Sequence, residues 1–154
     1  FASAAGNGYS AGPGPQVIDL GPDLGRVLPL ICYEAVFPQD LRGTARPDWL
    51  LQITNDAWFG VWTGPFQHAA QARLRAIEQG LPLVRVANTG VTAVYDARGR
   101  ELAALPFDTA AYLNTALPGA LPAPPYARLG ERPVLLLLAG LAAGLIRWPR
   151  RRRS

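Results

Sequence analysis

Cys32 is the only cysteine in 154 residues, and it closes an apolar run, Val27–Cys32 (VLPLIC). A thiol at a strand-to-helix turn stands at the edge of a sheet, where backbone N–H groups and a helix N-terminus favour a thiolate and can hold an oxyanion. The competing reading is a plain buried cysteine. Tyr33 and Glu34 follow at once, and Glu34 is placed either to orient a base beside the thiol or to cap the next helix. A second apolar run is followed by Asn55-Asp56-Ala57-Trp58-Phe59-Gly60. The carboxyl ends of strands are where open α/β sheets put their ligand sites, so Asn55, Trp58 and Phe59 are candidate substrate contacts. With Trp62, these aromatic rings could equally pack within the loop or dip into lipid. His68, the only histidine, is either a satisfied structural imidazole or a general base or ligand contact. One Cys and one His cannot complete a four-ligand zinc site from this chain. No metal or cofactor is expected, and an intrachain disulfide is excluded.

The elements that must position these groups alternate between strand and helix. Val27–Cys32, Trp49–Thr54 (WLLQIT) and Leu83–Ala87 read as short buried strands. Pro38–Arg46 reads as a short helix closed by Pro47. Pro65–Gln79 is the clearest helix, with Pro65 near its start, Gly80 as its C-cap, and Phe66, Ala69, Ala70, Ala76 and Ile77 at helical spacing. Val91–Tyr95 and Glu101–Leu105 flank Asp96-Ala-Arg-Gly-Arg100, a hairpin with Gly99 in its turn. The order implies an α/β layered core. Residues 1–15 are rich in small, turn-forming types and read as an irregular loop. Gly6, Gly8 and Gly12 there lack the spacing and the preceding strand of a phosphate loop.

Composition bounds the function. Hydrophobic residues make up 49% of the chain, which excludes wholesale disorder, and charged residues only 17%. The net charge is +4, yet Arg147 and Arg150 to Arg153 lie in the last eight residues, and without them ten Arg face eleven acids. A neutral body with a basic tail argues against nucleic acid as a partner. All fifteen basic residues are Arg, with no Lys, and the chain has no Met, from which a fragment or processed piece is expected. Leu117–Tyr126 holds four prolines and reads, with the residues to 131, as a linker. Beyond it, Val134–Ile146 runs thirteen residues without a charge. At ~1.5 Å per residue that is about 20 Å, short of the roughly 30 Å hydrocarbon core. Arg132, Arg147 and Trp148 can extend it by snorkelling and interfacial anchoring. We therefore expect a membrane helix over 132–148, a cytoplasmic Arg tail over 149–154, and the α/β part on the outer face.

The segments Ile31-Cys-Tyr-Glu34, Thr54-Asn-Asp-Ala-Trp-Phe-Gly60, Gly64-Pro-Phe-Gln-His68, Ala72-Arg-Leu-Arg-Ala-Ile-Glu78 and Val86-Ala-Asn-Thr-Gly-Val-Thr92 occur in that order. Together they resemble the carbon–nitrogen hydrolase (nitrilase) superfamily, and within it the membrane branch of bacterial apolipoprotein N-acyltransferases. The resemblance implies the C-terminal portion of an α-β-β-α sandwich over residues 1–116, followed by one transmembrane helix, at the bacterial inner membrane with the domain on its periplasmic face. It implies an acyl chain taken from a phospholipid onto Cys32 as a thioester, then passed to the N-terminal amine of an apolipoprotein. It implies a required carboxylate at Glu34, an oxyanion region at Tyr33 and an important loop aromatic at Trp58. The family triad is Glu, Lys and Cys. With no Lys and no Glu before Glu34, the fragment alone is expected to be inactive while its parent is active. A soluble nitrilase-type amidase and a non-catalytic membrane-tethered remnant are the alternative readings.

Overall fold

A computed structural model describes residues 12–41 and 45–147. The loop expected over 1–11 and the basic tail over 149–154 lie outside the described residues. Six strands form one mixed sheet in the order of the chain: β1 (Ile18–Asp19), β2 (Arg26–Ile31), β3 (Trp49–Asn55), β4 (Leu83–Asn88), β5 (Ala93–Tyr95) and β6 (Glu101–Ala104). The central three run parallel, and the outer pairings are antiparallel. Parallel neighbours need a crossover. Between β3 and β4 it is the helix α1 (Gly64–Gln79). Between β2 and β3, two one-turn 3-10 helices at Cys32–Val36 and Pro38–Leu41 take part. The helix expected over Pro38–Arg46 is thus shorter, and residues 42–44 lie outside the described part.

Alternation along the strands sorts their side chains between two faces. Leu28, Leu30, Leu50 and Leu83 cluster with Ala72 and Ala76 of α1. Alanines on the helix allow its backbone to approach the sheet. Pro65 lies in the first turn of α1, and Gly80 ends it at φ 61°, donating to the Ala76 and Ile77 carbonyls. This is the left-handed C-cap that glycine adopts without a Cβ penalty. The opposite face is open: Ile31, Ile53 and Val86 are in register across β2, β3 and β4, and all are exposed. One sheet with a helix on one side is the α/β layer the sequence implied.

The Pro-rich stretch runs without regular structure to Pro124 and then contains a short helix, α2 (Pro125–Leu129). It is docked on the domain: Leu121 N–H donates to the Gly80 carbonyl at 2.9 Å, and Arg46 donates to the carbonyls of Gly80 and Leu121. Helix α3 (Arg132–Arg147) follows, and its eight large apolar side chains are all exposed. The membrane-spanning expectation for 132–148 is not confirmed. Among the described residues no helix is long and apolar enough to cross a membrane. Sixteen residues rise only about 24 Å.

Candidate active site

The three parallel strands end on one edge, and the loops that leave them bring the singled-out residues together. Cys32 directly follows β2 with φ 52°. That is left-handed backbone, which costs a non-glycine residue about 1–2 kcal/mol and survives only where the surroundings impose it. The thiol is free and half-buried. Glu34 is exposed, and its carboxylate accepts the Ile31 N–H at 2.7 Å, capping the turn that carries Cys32. Tyr33 is exposed, with its ring edge-on to Phe37 at 5.6 Å.

After β3, the Asn55 side chain accepts the Ala57 N–H at 3.1 Å and shapes the turn into a 3-10 helix at Ala57–Phe59. Trp58 and Trp62 project with 84% and 86% of their surface exposed, while Phe59 lies edge-on to His68 at 5.3 Å between centroids. His68 itself is 3% exposed. It sits beneath the loop rather than in it, between Asp56 and the backbone of Cys32.

What holds Cys32 is a buried polar ring. Arg85 donates to one oxygen of Asp56 and to Gln52 Oε1. His68 Nδ1 donates to the other Asp56 oxygen at 2.8 Å, and Thr54 Oγ1 donates there at 3.1 Å. Because Arg85 claims Gln52 Oε1, the Gln52 amide nitrogen faces the other way. It lies 3.1 Å from His68 Nε2 and donates to the Cys32 carbonyl at 2.9 Å. His68 Nε2 also lies 3.2 Å from the Cys32 carbonyl, so that oxygen has two polar neighbours, the Gln52 amide and the imidazole. Burial pushes the Asp56 carboxyl up, but the His68 hydrogen bond and the Arg85 charge outweigh it and hold it below the usual carboxylate range. Burial lowers the Arg85 guanidinium, and Asp56 opposes that. Gln52, Asp56 and Arg85 were not singled out from the sequence. The signal that finds two of them is a polar residue at an inward position of an apolar strand, in WLLQIT and LVRVAN.

A cleft of about 550 Å³ opens beside this site, lined among others by Arg85, Asn88, Thr89, Gly90, Asp108 and Tyr112. Cys32 does not line it. Among the described residues no group of three or more His, Cys, Asp or Glu side chains is placed to hold a metal.

The sequence profile of the carbon-nitrogen hydrolase family matches residues 8–120. The chain belongs to the carbon-nitrogen hydrolase family. It is 50% identical over 133 residues to an apolipoprotein N-acyltransferase from Rhodopseudomonas palustris, and 49% identical to one from Bradyrhizobium diazoefficiens. Each match takes in 86% of this chain and 25% of the relative. This carbon-nitrogen hydrolase chain therefore spans about a quarter of the length of those relatives. Among solved structures, an amidase from Nesterenkonia sp. matches with a TM-score of 0.55 at 21% identity, over 85% of this chain and 49% of that one. At that identity the likeness concerns the fold.

Proposed function

We propose that this chain carries the nucleophile of an apolipoprotein N-acyltransferase. The observation that carries the reading is Cys32 in left-handed backbone at the carboxyl end of a parallel strand, in a chain half-identical to enzymes of that name. The Cys32 thiolate attacks the ester carbonyl of a phospholipid, a thioester forms, and the lysophospholipid leaves with a proton. The free amine at the N-terminus of a lipid-modified apolipoprotein then attacks the thioester, loses its proton, and returns the thiol. Backbone N–H groups after Cys32 serve the oxyanion, with Tyr33 beside them. Glu34 acts by fixing the turn. Trp58, Phe59 and Asn55 form the loop over which an acyl chain enters. The base and the lysine of the family triad have no counterpart in this chain, so these 154 residues alone do not turn over.

We place the enzyme at the inner membrane of a bacterium, with this domain on the periplasmic side. What supports this is α3. Its apolar side chains are unpartnered on every side, and burying each is worth ~1.5–3 kcal/mol, so lipid is a strong attractant. The helix reaches into the bilayer from the periplasmic side.

The test is mass spectrometry of the full-length protein incubated with phospholipid and no acceptor. An acyl adduct on the Cys32 peptide, discharged by an apolipoprotein amine and absent in Cys32→Ser, is expected. Turnover by Cys32→Ser would sink the assignment. Discharge by water at the same rate as by the amine would favour the amidase alternative.

A further inference from the structure

Gln52, Asp56, His68 and Arg85 form a closed cycle of hydrogen bonds, with exposures of 0%, 0%, 3% and 0%. Arg85 bridges Asp56 and Gln52, and His68 bridges them from the other side. The cycle meets the nucleophile at its carbonyl: the Gln52 amide donates to the Cys32 oxygen at 2.9 Å, and His68 Nε2 lies 3.2 Å from the same oxygen. Stability alone gives little reason for it, because a buried ionic group is often matched or bettered by apolar residues of similar volume. Cys32 stands in left-handed backbone at φ 52°, which persists only where the surroundings hold the turn.

We propose that this cycle is the positioning device of Cys32, with Gln52 and His68 facing its carbonyl and Asp56 and Arg85 as the frame that orients them. Arg85 dictates which way the Gln52 amide faces, and Asp56 holds the imidazole through Nδ1. His68 is thereby a positioning residue and touches no substrate. The inference rests on Cys32 being the nucleophile.

The experiment uses the full-length protein, and its central variant is Gln52→Glu, which keeps shape and the Arg85 partner but removes both donors. Three quantities are compared: kcat and KM with phospholipid donor, the iodoacetamide alkylation rate at the Cys32 peptide, and the melting temperature. Loss of the amide's buried contacts to Cys32 and His68 is expected to lower kcat about ten-fold with KM within about two-fold, and to change the alkylation rate. Combining Gln52→Glu with His68→Gln should cost no more than the worse single variant, since the groups act as a unit. Unchanged kcat and alkylation in folded Gln52→Glu, or losses that multiply in the double variant, overturn the proposal. Should Gln52→Glu not accumulate, Thr54→Val removes only one donor to Asp56. It is expected to lower kcat about three-fold at constant KM, and no change overturns the proposal. A wild type alkylated at Cys32 but never acylated overturns the acyltransferase reading alone, and the alkylation rates of the variants still decide the positioning.

Discussion

Asp56 takes three donors, from His68, Thr54 and Arg85, and its carboxyl lies below the ordinary range because those partners outweigh its burial. In the unfolded chain it titrates near the usual value of about 3.9. The stability this shift supplies is therefore whole at neutral pH, begins to fall as pH approaches about 4, and is lost as pH drops through the lower folded value. Asp56→Asn strands the Arg85 guanidinium and should cost about 3–5 kcal/mol near pH 7. Denaturant unfolding at pH 7 and pH 3 checks the sign: the gap between wild type and variant should narrow in acid, and a constant gap refutes the assignment. None of this was legible from Asp56 as a letter in a loop. Cys32, Glu34 and the aromatic loop stood out by type and spacing. Gln52 and Arg85 read as interruptions in apolar strands, because a sequence does not reveal that two such interruptions face one another across β3 and β4.

Elements were legible where their punctuation is strong. Pro65 and Gly80 bracket α1, and Asp96 with Gly99 sets the hairpin between β5 and β6, the Asp96 carboxylate accepting the N–H groups of Arg98 and Arg100. What escaped was short. The two residues of β1 are too few for any alternation, and the turn at Cys32–Val36 begins on a left-handed residue that no capping rule flags. In the Pro-rich stretch, Pro125 starts a helix because its fixed φ suits a first turn. The loop between β4 and β5 yields a prediction at this scale. A Cβ on Gly90 would lie 2.6 Å from Asp56 Oδ2 and 2.9 Å from the Ala87 Cβ. Gly90→Ala should thus lower stability by about 1–3 kcal/mol, as overpacking does, and reduce activity through Asp56. A melting temperature equal to wild type would show that the loop yields and the contact is slack.

At the scale of the molecule, apolar surface stands without cover among the described residues at the row Ile31, Ile53 and Val86 on the sheet and along the large apolar side chains of α3. The sheet row faces the side where an α-β-β-α sandwich has its second sheet, consistent with a chain that spans a quarter of its relatives. For α3, both hydropathy and shortness were legible: the uncharged run says what solvent the helix prefers, and its thirteen residues already fall short of the hydrocarbon core. Removing residues 134–154 from the full-length protein should release part of it from membranes on alkaline extraction. Complete retention would show that α3 is not the decisive anchor.

Strand order in space equals strand order in the chain from β1 to β6. As the polypeptide leaves a ribosome, each new strand can add to the edge its predecessor has just formed, and no described strand must wait for a partner made later. A sheet laid down in this one direction keeps a single growing edge at a time, which limits the interval in which unpaired backbone can recruit the wrong neighbour.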